Sequence, residues 1–152
     1  MRISLVIIVK VAIMYYIKSI MKNTIFKLTE YVYYFLLIVL LILYLFPGSL
    51  IGYFLYGNLG QQPNFIVNPI GTSINHLIFF TCLSFIGSII RLKIKSFFNS
   101  FTFLLSISII LELFHLIIPN RAFEFFDLFA NSAGVVIAFL LLISIKRISQ
   151  NK

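Results

Sequence analysis

Polar side chains that can do chemistry are concentrated in one stretch of an otherwise apolar chain. The stretch, ELFHLIIPNRAFEFFDLFANSAG, runs from Glu112 to Gly134 and holds three of the four acidic residues in the sequence. Its polar and charged members are Glu112, His115, Arg121, Glu124, Asp127 and Asn131. Carboxyl and imidazole groups serve as general acids and bases, and a guanidinium binds anionic oxygens. This stretch is therefore the first candidate for a functional site.

The spacing of these residues predicts two polar helix faces. Glu112 and His115 are three residues apart and share one face of a helix, which Ser108 extends. A second stripe follows i, i+4, i+7, i+11 spacing and consists of Asp127, Asn131, Gly134 and Ala138. Its two small residues permit close approach of another helix. A connection of about eight residues makes the two helices antiparallel neighbours, so the polar faces are expected to meet.

The composition indicates a membrane protein. Of the 152 residues, 61% are hydrophobic and 11% are charged, whereas a soluble domain carries roughly 25% charged residues. The apolar runs are continuous, while barrel strands would alternate polar and apolar residues. The chain length allows one domain. The predicted fold class is therefore all-α, an integral membrane bundle.

Four transmembrane helices are predicted, at about 29–46, 73–90, 97–118 and 127–145. With four spans, all the flanking clusters of basic residues fall on one side: Lys22, Lys27, Arg91, Lys93, Lys95, Lys146, Arg147 and Lys152. The positive-inside rule then places both termini in the cytoplasm. The basic residues lie at the ends of apolar runs, so binding of nucleic acid is not expected.

The first 22 residues allow two interpretations. Residues 1–22 are either an upstream extension or an amphipathic helix in the cytoplasmic interface, with lysines spread over one side. The transmembrane domain would then comprise residues 23–152. A fifth span is a further alternative, and it would move the N-terminus across the membrane.

His76 adds a third element to the candidate site. It lies at the start of the second predicted span, on the same side of the membrane as the polar stretch. A charge in a bilayer costs at least about 2.5–3.5 kcal/mol on insertion scales, and pairing of Arg121 with Glu112 or Asp127 would offset much of it. A purely structural role is the alternative, in which the polar groups fix helix packing and Asp127 caps the last helix.

Two kinds of chemistry fit these residues. In the first, Glu112 or His115 is a catalytic acid or base and Arg121 holds an anionic headgroup; the further substrate-binding residues are Asp127, Asn131 and His76. In the second, the Glu-x-x-His spacing, with His76 and Asp127, supplies a metal site of the kind found in helical bundles. The element occurs only once, so the first interpretation is preferred, and no metal or other cofactor is predicted.

The same residues resemble a known family. The C-terminal signature of the VanZ-like membrane proteins is similar to the pattern formed by Glu112, Pro119, Arg121, Asp127, Asn131 and Gly134. The segment HLIFF from His76 is similar to the family's Asp-Lys-x-x-His-Phe. This chain departs from the family at His115, where Gln is common, and at Thr72-Ser73, where Asp-Lys is usual. The resemblance covers about residues 29–147.

The resemblance implies a small four-helix protein of the bacterial cytoplasmic membrane, in a family whose namesake is associated with resistance to a glycopeptide antibiotic. Two functional hypotheses follow. The protein binds or modifies an anionic lipid or a lipid-linked envelope precursor. Alternatively, it is a non-catalytic accessory subunit that packs against a larger membrane assembly.

Overall fold

The regular structure of the protein is helical. A computed structural model describes residues 2–62 and 71–150, and no strand occurs within those ranges. The helices are α1 (Arg2–Leu45), α2 (Leu50–Tyr56), α3 (Gly71–Arg91), α4 (Phe101–Phe114) and α5 (Phe125–Gln150), with a 3-10 turn at Phe97–Asn99 before α4. The predicted all-α class is confirmed for this part of the chain.

Three helices are long and apolar enough to cross a membrane. The qualifying segments are Met14–Leu45 in α1, Ser73–Arg91 in α3 and Phe125–Gln150 in α5. Large hydrophobic side chains on these helices remain exposed, as expected where a helix faces lipid: Phe35, Ile38 and Ile42 on α1, and Phe129, Leu140 and Leu141 on α5. Three of the four predicted spans thus coincide with helices of sufficient length.

The predicted span at 97–118 is not one continuous helix. α4 has 14 residues and is about 21 Å long, which is shorter than a hydrocarbon core of roughly 30 Å. It begins at Phe101 because the Ser100 hydroxyl accepts a hydrogen bond from the Phe103 N–H at 3.1 Å. It ends in a series of turns that starts where the His115 N–H bonds the Glu112 carbonyl. Pro119 follows these turns.

α1 is longer than the first predicted span. Its 44 residues extend about 66 Å and continue through the boundary predicted at residue 22. The helix is therefore about twice as long as the hydrocarbon core is thick. The side chains of residues 1–13, 17 and 18, among them Lys10 and Lys18 of the interfacial interpretation, lie outside the described part.

A short folded loop follows α1. Gly48 adopts a φ of +87°, which a side chain would strain, and it lies against the backbone of Leu59. The Ser49 side chain caps α2 by accepting a hydrogen bond from the Gly52 N–H at 2.9 Å. Gly52 lies so close to Gln61 that a Cβ would stand 1.6 Å from the Gln61 carbonyl oxygen. The segment between the first two predicted spans is thus folded over residues 47–62, and residues 63–70 lie outside the described part.

Small residues set the close packing of α3 against α5. A Cβ on Gly134 would lie 2.7 Å from the Leu77 carbonyl oxygen and 3.0 Å from the Thr81 backbone nitrogen. Ala138, one turn further on, has no exposed surface. The close helix approach expected from this stripe is therefore present, and its partner is α3. α4 also contacts α5, as expected for neighbouring helices.

We predict that Gly134→Val destabilises the protein. The new side chain would press against backbone atoms that cannot move independently, and overpacking of this kind costs roughly 1–3 kcal/mol. Thermal unfolding in detergent measures the effect. Ala133→Val, at an exposed position on the same helix, is the matched control. Equal transition temperatures for the two variants would contradict the packing described here.

Candidate functional site

The ends of four helices bring the predicted site residues together. His76 lies in the second turn of α3, and Glu112 and His115 lie at the end of α4. Asp127 and Asn131 occupy the first two turns of α5. The last turn of α1 contributes Tyr44, which the sequence did not single out. All six side chains are buried except that of His76, which is partly exposed: they are Tyr44, His76, Glu112, His115, Asp127 and Asn131.

Asn131 connects these helices. Its amide nitrogen donates to Glu112 Oε2 at 3.3 Å and to the Ser108 carbonyl at 3.4 Å, both on α4. Its amide oxygen accepts from the Tyr44 hydroxyl at 2.8 Å and lies 3.2 Å from His76 Nδ1. Because a carboxamide has two donor hydrogens on one side and an acceptor on the other, the α4 contacts turn its oxygen toward α1 and α3.

This arrangement determines the tautomer of His76. The single hydroxyl hydrogen of Tyr44 is donated to Asn131, so the Tyr44 oxygen acts as an acceptor toward His76 Nδ1, which lies 2.5 Å away. The Asn131 oxygen is also an acceptor. Nδ1 therefore carries a hydrogen, and Nε2 is left facing Asp127 Oδ2 at 3.6 Å.

Glu112 is fully buried and anchors the start of α5. Its Oε1 accepts a hydrogen bond from the Glu124 backbone N–H at 3.3 Å and lies 3.3 Å from His115 Nδ1. A carboxylate at this place satisfies a free backbone N–H and interacts favourably with the positive end of the helix dipole. Asp127 instead accepts a hydrogen bond from the Ser73 hydroxyl at 2.5 Å. The capping role expected for Asp127 is thus filled by Glu112.

His115 has one nitrogen that no described residue bonds. Its ring stacks on Tyr44, with centroids 5.3 Å apart and planes inclined by 15°. Its Nδ1 faces Glu112, whereas the buried Nε2 has no hydrogen-bond partner within residues 2–62 and 71–150. The residue is 4% exposed. A buried polar atom in this state is available to a ligand or a proton.

Arg121 does not pair with Glu112 or Asp127, contrary to the expectation from the sequence. Its Nε donates to the Phe46 carbonyl at 3.3 Å and its Nη2 to the Leu43 carbonyl at 2.5 Å. These are carbonyls at the end of α1 that lack helical partners. Burial lowers the pKa of the Arg121 guanidinium, an effect that Tyr44 and Glu112 oppose. The pairing fails because the turn directs the side chain toward α1.

A polar cavity of 330 Å³ opens beside the cluster. Its lining includes the side chains of His115, Glu124 and Asp127. Burial raises the pKa of the Glu124 carboxyl, and the nearby carboxylates of Asp127 and Glu112 raise it further, while His76 and His115 lower it. The cavity is therefore bordered by acidic groups that repel one another.

An apolar groove of 220 Å³ lies between α3 and α5. It is lined by Ser73, Ile74, Leu77, Phe126, Phe129, Ala130 and Ala133. Ser73 joins the two regions because it lines the groove and also bonds the Asp127 carboxylate. A polar cavity next to an apolar groove is suited to an amphiphilic molecule.

Comparisons with protein families, with curated proteins and with solved structures find no match for this chain. The site is therefore interpreted from its own geometry.

We predict that Asn131→Leu destabilises the protein because it removes the hydrogen bond to the buried Glu112 Oε2 and the acceptor of the Tyr44 hydroxyl hydrogen. Each buried group left unpaired costs about 1–3 kcal/mol. Thermal unfolding in detergent measures the loss, and Ser144→Ala, which removes an exposed hydroxyl from α5, is the control. A double variant with Glu112→Gln should show a non-additive effect. Additive losses would mean that Asn131 does not anchor Glu112.

We predict that Glu124→Gln stabilises the protein at neutral pH. The raised pKa means that the folded state binds the proton more tightly than the unfolded state does. The stabilisation is then complete below the unfolded pKa and is lost as the pH rises through the folded pKa. Thermal unfolding between pH 4 and pH 8 should show a flatter pH dependence in Glu124→Gln. Glu30→Gln, which alters the acidic residue outside the site, should keep the original slope.

Proposed function

We propose that the chain is a VanZ-like bundle of four transmembrane helices in the bacterial cytoplasmic membrane, with both termini in the cytoplasm. The three long helices account for three crossings. α4 and its flanking turns provide the fourth, and a short helix is accommodated by local thinning of the bilayer. With four crossings, the basic residues after α3 and α5 lie on the cytoplasmic side, and the candidate site lies at the outer leaflet.

The function that the site supports best is binding of an anionic lipid headgroup or of a lipid-linked envelope component. The observation that carries this proposal is the state of Arg121. In the described part of the chain no carboxylate lies within salt-bridge distance of Arg121, which donates to two neutral carbonyls. The guanidinium thus keeps its charge and has three further N–H groups for a phosphate or carboxylate.

The adjacent groove supports an amphiphilic ligand. The headgroup would enter the polar cavity, and an acyl or prenyl chain would lie along Phe126 and Phe129 between α3 and α5. Phe126 and Phe129 are 72% and 71% exposed. Apolar surface of this kind next to a charged pocket matches the two ends of a lipid.

Modification of the bound molecule is the catalytic form of the same proposal. His115 Nε2 is the nitrogen available for proton transfer, because no residue in the described part of the chain bonds it and His115 lines the cavity. Glu112 has no exposed surface, so it would act through its contact with His115 Nδ1. Asp127, Asn131 and His76 would hold the geometry.

A role as accessory subunit is the second candidate, and the length of α1 favours it. The helix is about twice as long as the hydrocarbon core is thick. Tyr15 and Tyr16, in its N-terminal part, are 68% and 69% exposed. Such a projecting apolar helix offers a surface for another membrane protein.

Lipid binding is tested by photo-cross-linking with an acidic phospholipid that carries a photoactivatable group near its headgroup. We expect cross-links to residues 115–133 in the wild-type protein. Arg121→Gln should reduce them by about tenfold or more, since a charge-assisted hydrogen bond contributes about 1.5–3 kcal/mol.

Arg91→Gln is the matched control for this experiment. Arg91 also donates to a backbone carbonyl, that of Ser96 at 2.7 Å, but at the opposite end of α3. It should leave cross-linking at residues 115–133 unchanged. Equal losses in the two variants would refute a headgroup site at Arg121, and a stoichiometric partner protein retained in mild detergent would favour the accessory role.

A further inference from the structure

The buried carboxylates of the cluster lack a permanent positive partner. Glu112 has no exposed surface and Asp127 is 5% exposed. Among the described residues, the charged groups within 4.0 Å of these two carboxylates are histidines only. Arg121, the nearest arginine in the sequence, donates to backbone carbonyls instead. Buried charges in proteins are paired or coordinate metal ions, so this cluster requires a cation or protons.

Three potential ligand atoms converge at this place. One nitrogen of His76 and one carboxylate oxygen each of Glu112 and Asp127 lie within 4.8 Å of one another. Zinc binds imidazole nitrogen and carboxylate oxygen at about 2.0–2.2 Å, so neighbouring ligand atoms in a tetrahedron are roughly 3.3–3.6 Å apart. The separation of His76 Nε2 from Asp127 Oδ2, 3.6 Å, reaches the upper end of that range. Glu112 contributes the third ligand atom, within 4.8 Å of the other two.

The hydrogen bonds around the three groups orient them as metal ligands. A metal-binding histidine normally donates its other ring N–H to an oxygen. His76 does so through Nδ1, which faces the Tyr44 and Asn131 oxygens, and its Nε2 faces Asp127 Oδ2. Asp127 is held by Ser73, and Glu112 by Asn131. The 3.6 Å gap between Nε2 and the carboxylate oxygen is one that a metal ion could bridge.

His115 provides an independent indication of a ligand. No described residue bonds its buried Nε2, and His115 lines the same cavity as Asp127. Buried polar atoms are satisfied in more than about 90% of cases, so a partner for this nitrogen is expected. A metal-bound water or a ligand atom in the cavity would supply it.

We propose that His76 Nε2, Glu112 and Asp127 form a binding site for a divalent metal ion. One imidazole and two carboxylates suit Zn²⁺ or Mn²⁺ better than the oxygen-only preference of Ca²⁺ or Mg²⁺. Three protein ligands leave a coordination position open toward the polar cavity. The site involves the same residues as the proposed function but does not depend on lipid binding.

The test measures metal binding to the full-length, tag-free protein in detergent, without added lipid. Protein stripped of metal with a chelator is titrated with Zn²⁺, with Mn²⁺ and, as a reference, with Mg²⁺. The metal bound per chain is quantified by elemental mass spectrometry. We expect about one Zn²⁺ or Mn²⁺ per chain, and absorption bands typical of mixed nitrogen and oxygen ligands when Co²⁺ replaces them. Asp127→Asn should weaken binding by about a hundredfold, and Ser73→Ala by about tenfold.

Glu30→Gln controls for adventitious binding and should retain full affinity. Asp127→Asn keeps the shape of the side chain, so this variant is expected to fold. Thermal unfolding of the metal-free wild type and variant checks that it does. The proposal is overturned if the wild type binds less than a tenth of an equivalent, or if Asp127→Asn binds as tightly. If low pH stabilises the protein and metal does not, protons neutralise the cluster, and the proposal of a metal site is equally overturned.

The outcome is separable from that of the lipid experiment. Cross-linking is repeated with a chelator present, so that loss of headgroup binding in Arg121→Gln can be scored without metal. Metal binding that survives in Arg121→Gln, together with no lipid cross-linking in any variant, would leave the metal site established and remove the lipid proposal.

Discussion

The geometry of the site depends on one side chain, the buried amide of Asn131. Both of its donor contacts go to α4, so its oxygen has to face Tyr44 on α1 and His76 on α3. In a membrane the apolar faces of helices pack against one another hardly better than against lipid. A buried amide can be satisfied in one relative position of its neighbours only, and it therefore fixes the rotation and register of the four helices.

The end of α1 is held in place by the same part of the chain that carries the functional charge. Arg121 comes from the turn between α4 and α5, and its N–H groups satisfy the carbonyls of Leu43 and Phe46. This contact positions Tyr44, which lies between those two residues. A helix end at membrane depth needs such donors because no water replaces them. Arg121 thus has an architectural role. This role is compatible with ligand binding, because the guanidinium has further N–H groups beyond those that bond α1.

Much of this arrangement follows from the sequence, and what does not has identifiable physical reasons. Apolar runs predict the helices, and the spacing of Asp127, Asn131 and Gly134 predicts the polar and close-packed face of α5. The role of Tyr44 is not predictable, because tyrosines are frequent near the ends of membrane helices and nothing marks this one as a hydrogen-bond donor. The direction of the Arg121 side chain depends on the conformation of the turn between α4 and α5, which the sequence does not determine. The end of α4 at Phe114 is not predictable either, because residues 115–118 are largely apolar.

The charge of the cluster links the two proposals. Glu112 and Asp127 stand close together in a poorly solvated region, where like charges repel much more strongly than in water. Glu124 adds a third acidic group at the cavity. A single arginine does not balance this charge, so the carboxylates would weaken the binding of an anionic headgroup. A divalent ion at His76, Glu112 and Asp127 would offset that repulsion and offer an open coordination position to a phosphate oxygen. In that case Arg121 and the metal would bind the same headgroup from two sides, and the affinity for lipid would be higher with the metal bound.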